Sequence, residues 1–173
     1  MNGRQRSRAS TRGLDLEFVA MLTIPESVRD FLAQGLWAHV VTMNRHGEPH
    51  VNLCWAGFEG DRIVFASFFD ARRAARLRRD PRVTLSFQAK EYEGGALFPY
   101  LAVKGRAIVE EGGALGVMDH LAQWYIKPGA RYPVRDMPPG WIFRVTIEKI
   151  YGQGPWNDRW VEMDRASREA NTR

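Results

Sequence analysis

The chain has 173 residues, 45% of them apolar and 26% charged, with a formal net charge of +5. That length suits one folded domain with tails, and the apolar fraction excludes a wholly disordered chain. No uncharged apolar run approaches the roughly 18 residues of a membrane-spanning helix, and a single cysteine, Cys54, excludes an internal disulfide framework and any cysteine-cluster zinc site.

The first 14 residues hold four arginines and no acid, so the rest of the chain carries only +1. Residues 1–20 read as a disordered basic tail with little to bury. An arginine- and serine-rich start also suits a transit peptide, but Asp15 and Glu17 interrupt the next stretch, and the expectation is a cytoplasmic protein with a passive tail. Residues 21–156 are expected to fold and 157–173 to form a C-terminal tail.

Pro25 and Glu26 open a short helix to about residue 34, with Val28, Phe31 and Leu32 on its apolar face and Gly35 at its end. Strand-like runs follow at 36–43, 49–56 and 62–68. They are joined by Asn44-Arg45-His46-Gly47-Glu48 and Gly57-Phe58-Glu59-Gly60-Asp61, which carry hairpin chemistry. Connections this short predict antiparallel neighbours. Asp70 caps a helix over 71–79, stopped by Asp80-Pro81. A fourth strand is expected at 82–88 and a fifth at 100–109. A helix over 113–126 carries Leu115, Met118, Ala122 and Tyr125 on one stripe. A proline- and glycine-rich loop, 127–140, precedes a last strand at 141–150. Six strands with flanking helices predict an α+β, mainly β, antiparallel barrel or sandwich.

The segment from Asp70 to Arg82 holds six arginines against two aspartates. If Asp70 is the N-cap, Arg72 and Arg73 fall in the first helical turn, where each cation opposes the helix dipole by roughly 0.3–1 kcal/mol unless an anion neutralises it. Free N–H groups with two guanidinium forks would make a phosphate seat, and Ser67 could add a hydroxyl. The plainer alternative is a solvated basic helix. Nucleic acid is set aside because no aromatic platform or groove-reading motif accompanies the arginines.

In the strand Pro49-His50-Val51-Asn52-Leu53-Cys54-Trp55-Ala56, alternation places Val51, Leu53 and Trp55 on one face and Asn52 and Cys54 on the other. The polar face suits either a flat ring lying on the backbone or an ordinary half-exposed strand. The histidines at 39, 46, 50 and 120 show no metal-ligand spacing, and no metal site is expected. No nucleophile triad, P-loop or paired catalytic carboxylates stand out, so an enzyme here would need a cofactor for the hard chemistry.

The series from Asn44 to Trp55, the Arg72-Arg73 helix and Arg78-Arg79-Asp80-Pro81-Arg82-Val83-Thr84-Leu85 resembles the pyridoxamine 5'-phosphate oxidase-like split β-barrel superfamily. Tyr100-Leu101-Ala102-Val103-Lys104-Gly105-Arg106-Ala107 and Gly152-Gln153-Gly154-Pro155-Trp156 are similar to its deazaflavin (coenzyme F420)-dependent oxidoreductases. The resemblance implies a six-stranded antiparallel split β-barrel and a homodimer with cofactor sites between subunits, acting on a small-molecule substrate without nucleic acid or membrane. It implies hydride transfer from reduced F420 to an electron-poor small molecule, with FMN as the alternative cofactor. A non-catalytic cofactor carrier or a haem-degradation-like binding protein is the rival of another class. Carried over, Arg72 and Arg73 stand at the phosphate-binding pair, Ala66 and Ser67 at strand-end cofactor contacts, and Val51, Asn52, Leu53 and Cys54 on the strand along the ring. Arg76 replaces a frequent asparagine and extends the basic seat, and Trp156 is a candidate ring cover. The C-terminal arginine-rich substrate motif of true pyridoxamine 5'-phosphate oxidases is absent, which argues against that specific activity. The catalytic residues stay unassigned.

Overall fold

A computed structural model describes residues 24–92 and 98–171; the expected tail at 1–20 lies outside them. In chain order the elements are α1 (Glu26–Leu32), β1 (Ala38–Met43), β2 (Pro49–Cys54), β3 (Ala56–Glu59), β4 (Arg62–Ser67), α2 (Ala71–Arg79), β5 (Arg82–Gln88), β6 (Tyr100–Glu111), α3 (Ala114–Tyr125), β7 (Trp141–Gln153) and α4 (Asp158–Asn171). The strands form one antiparallel sheet in the order β2-β1-β5-β6-β7-β4-β3. This is the expected α+β split barrel with seven strands rather than six. Residues 57–59, expected in a connection, pair with β4 as β3.

The expected pairing of the second and third strand-like runs does not form. β2 pairs with β1, whereas β4 lies between β3 and β7 at the far side of the sheet. The chain leaves one sheet edge at Cys54 and joins the other at Ala56, so only Trp55 separates the two edge strands in sequence. The sheet must therefore curl until its edges approach, although no ladder joins β2 to β3.

Tyr125 holds that crossing. Its ring stacks on Trp55 at 4.8 Å, its hydroxyl accepts from Ala56 N at 2.9 Å, and it donates toward the Leu36 carbonyl. Gly57 lies beneath α3, where a β-carbon would come within 2.0 Å of the Trp124 ring. This close approach favours glycine and breaks the alternation that would have marked β3.

The main core fills the inside of the curled sheet, with Phe65 of β4 stacked on Phe143 of β7 at 4.8 Å. A second layer lies on the other face of β4 and β7, where Val64, Ala66 and Ile142 meet Ala114, Val117 and Leu121 of α3. The buried face of α3 is thus turned from the expected stripe. Ala122 is buried as expected, but Leu115 and Met118 are only partly buried, because the helix packs flat on β4 with Trp124 over Gly57.

Beyond β7, Asn157 accepts from Trp160 N at 3.1 Å and heads α4. Trp160 is 8% exposed, and Asp164 accepts from Tyr92 and Arg168. The stretch expected as a C-terminal tail thus contains a helix with a buried anchor. Among the described residues, no helix is long and apolar enough to cross a membrane.

Replacing Tyr125 by phenylalanine keeps the stack but leaves the Ala56 N–H and its neighbours without the hydroxyl. The variant should lose about 1–3 kcal/mol of stability by equilibrium urea unfolding; an unchanged midpoint would contradict the clamp.

Candidate functional site

The site is built where α2 leaves β4. Asp70 N donates to Ser67 Oγ at 3.2 Å, and Asp70 Oδ1 accepts from Arg73 N at 2.8 Å, so the expected N-cap is present. The buried face of the helix is Arg73, Ala74 and Leu77, a spacing that directs Arg73 inward with the apolar side chains. Arg72, one position earlier, faces solvent. The two arginines therefore do not form a symmetric pair.

Arg73 is 5% exposed. Its Nε lies 3.1 Å from Asp70 Oδ2, and its guanidinium stands 5.8 Å from the ring centroids of both Phe65 and Phe143. Nε and Nη1 are buried without an accepting hydrogen-bond partner. The Asp70 ion pair compensates Nε in part, an unmet buried donor such as Nη1 costs about 1–3 kcal/mol, and aromatic faces offset only part of a buried cation's desolvation.

Arg76, one turn on, spans to the other sheet edge. Its Nε donates to Thr42 Oγ1 at 3.0 Å, and Nη2 reaches Asn52 Oδ1 at 3.5 Å and Asp70 Oδ2 at 4.0 Å. Burial lowers its pKa, partly opposed by Asp70. Cys54 is half-buried beside Arg73; burial pushes its thiol up to about 11, and the Arg73 charge only partly counters this. Two arginines against one aspartate leave this cluster one positive charge in excess. Its unmet donors, cation excess and helix N-terminus suit an oxyanion such as a phosphate.

The sequence-derived residues divide accordingly. Asn52, Cys54, Ser67, Arg73 and Arg76 gather around Asp70. Val51 and Leu53 occupy the opposite face of β2, 55% and 54% exposed. Ala66 points into the layer under α3. Trp156 packs edge-on against Phe31 at 4.9 Å and covers Gly154, so its ring is engaged as a core anchor. Two members were missed as site residues: Asp70, read only as a cap, and Thr42, 1% exposed and bonded to Arg76. A threonine in an inward row of a strand was the available signal for the latter. Among the described residues, no cluster of histidine, cysteine and carboxylates could hold a metal; the His120 ring is bonded to the Phe58 carbonyl oxygen.

Residues 24–154 match the sequence profile of pyridoxamine 5'-phosphate oxidase. Among solved structures, an F420 reductase aligns with a TM-score of 0.61 at 21% identity, covering 74% of this chain and 98% of its own. A conserved hypothetical protein from Mycobacterium tuberculosis gives 0.59 at 21% identity, covering 77% and 86%. The haem storage protein HutZ from Vibrio cholerae gives 0.52 at 16%, covering 72% and 91%. These likenesses carry the fold. No curated protein matches the sequence.

The raised thiol pKa predicts slow alkylation of Cys54. At pH 8 iodoacetamide should react about a hundredfold more slowly than with a free cysteine, and the rate should climb until pH nears 11. A rate that saturates near pH 8 would show an accessible, unperturbed thiol.

Proposed function

The chain belongs to the pyridoxamine 5'-phosphate oxidase family, and from that premise we propose that it is an oxidoreductase whose cofactor phosphate is held by the buried end of α2. The observation that carries this reading is Arg73, buried with two unmet donors beside a helix N-terminus. The residues fit a phosphorylated flavin or deazaflavin. Arg73 would donate to phosphate oxygens while Asp70 keeps its guanidinium oriented. Arg76, steadied by Thr42 and Asn52, would supply the second cation. β2 is an edge strand, so one side of residues 49–54 has no strand partner and can offer backbone groups to the rim of a flat ring.

The preferred cofactor is coenzyme F420, with FMN as the alternative that uses the same seat; either would supply two-electron, hydride-type chemistry when bound. The proposed reaction is hydride transfer from reduced F420 to an electron-poor small molecule. The F420 reductase among the structural neighbours supports this at the level of fold. The chain's part is to anchor the phosphate, orient the ring along β2 and shield it from water.

A homodimer completes the proposal. Val51 and Leu53 stand more than half exposed on the outward face of β2, next to the partly buried Val41 and Met43 of β1. Covering a side chain of this kind is worth about 1.5–3 kcal/mol, and a second copy would cover the face and wall the ring.

Titration with F420, FMN and riboflavin tests the seat. Arg73→Gln should weaken the phosphorylated cofactor about 10- to 100-fold and leave the phosphate-free riboflavin unchanged. Equal affinity in wild type and variant, or no binding of F420 or FMN, would overturn the reading. For the dimer, sedimentation should show two chains for wild type and one for Val51→Lys/Leu53→Lys; a monomeric wild type would contradict it.

A further inference from the structure

The outward sheet face continues away from Val51 toward α4. Register places Leu53 beside His39 and His39 beside Ser86. Two residues further along, Gln88 pairs with Tyr100 and Tyr100 with Gln153. Here the face is hollowed into two cavities. One, of about 440 Å³, is bordered by His39, Ser86, Gln88 and Phe98. The other, of about 460 Å³, is bordered by Asn157, Arg159, Trp160 and Met163 at the start of α4. Tyr100 and Gln153 line both, which makes them one groove. Each volume falls within the range of small-molecule sites.

The lining has a definite chemistry. Phe98, Tyr100 and Met163 are 48%, 39% and 41% exposed and present broad apolar surface. Ser86, Gln88 and Gln153 can both donate and accept hydrogen bonds. Among the described residues that line the two cavities none is acidic, and Arg159 has no ion pair among the described residues. Asn157 fixes this rim, donating to the Gly152 carbonyl at 3.3 Å while capping α4.

We infer that this groove binds a flat aromatic or heteroaromatic monoanion. Its ring lies against the Tyr100 and Met163 surfaces, its polar edge meets the glutamines, and its acid group meets Arg159. The site is independent of the cofactor seat: alternation puts it on the face of Leu53, opposite the face of Asn52 and Cys54 that meets Arg76 and Arg73.

Calorimetric titration of the full chain with naphthalene-2-carboxylate tests it, with naphthalene-2-carboxamide and cyclohexanecarboxylate as comparisons. The aromatic acid should bind saturably and more tightly than either. Arg159→Gln, an exposed position on α4, should weaken the acid about fivefold and leave the amide unchanged, and Arg73→Gln should alter neither. No saturable binding, equal binding of cyclohexanecarboxylate, or insensitivity to Arg159→Gln would overturn the site. Loss of binding with Arg73→Gln alone would move the acid to the basic seat and equally overturn it.

Discussion

A buried guanidinium with more donors than acceptors governs this molecule. Arg73 sits inside the curled sheet with the Asp70 carboxylate on one side and two phenylalanine rings within 5.8 Å. A side chain so placed carries a desolvation cost that one carboxylate does not offset. The surrounding residues limit that cost without removing it. Asp70 is held by its own role as N-cap, Ser67 closes the turn before it, and Arg76 is tied across to Thr42. The arrangement retains a cation where an apolar residue would pack more simply. In the proposed reading, an incoming oxyanion would meet these donors and offset that cost.

The fold makes such a position possible through one topological feature. β2 and β3 lie at opposite edges of the sheet yet are separated only by Trp55. The sheet has to curl to satisfy the chain, and α2, joining β4 to β5, comes to lie against β1 and β6. Its buried face then meets Phe65 of β4 on one side, while Arg76 reaches Asn52 of β2 on the other. The Tyr125 hydroxyl and the Trp55 stack fasten the crossing. The scaffold that holds the basic seat thus depends on a helix remote from it in sequence. At its edge of the sheet β2 keeps one side without a strand partner and shows Val51 and Leu53 to the outside, the face that the proposed dimer would cover.

Much of this was legible in the sequence because local chemistry agrees with the final fold. Asn44 accepts from His46 N and Glu48 N at 2.8 and 3.0 Å, the turn that its side chain and Gly47 announce. Asp70 caps α2 as its position promised. β3 was hidden because Ala56, Gly57 and Phe58 are buried in succession, so no alternation marks them. The pairing of β4 was misjudged because residues 49–56 read as one strand, whereas the chain changes sheet edges at Trp55 within that run and the short turn at Gly60-Asp61 joins β4 to β3. The inward turn of Arg73 had a signal that the charge obscured. Arg73, Ala74 and Leu77 share a helical face, and the apolar pair shows which way that face points. α4 has too few apolar residues for periodicity to reveal it; Trp160 alone supplies its deep anchor.

The central claim is that Arg73 is built to receive an oxyanion. The most direct measurement is a proton–nitrogen NMR titration of the arginine Nε–H signals with inorganic phosphate at constant ionic strength. Arg73→Gln assigns the buried resonance. The account predicts that this signal and that of Arg76 shift saturably while exposed Arg78 and Arg82 follow the bulk response. An Arg73 signal that stays fixed, or one that moves only in step with the surface arginines, would contradict it.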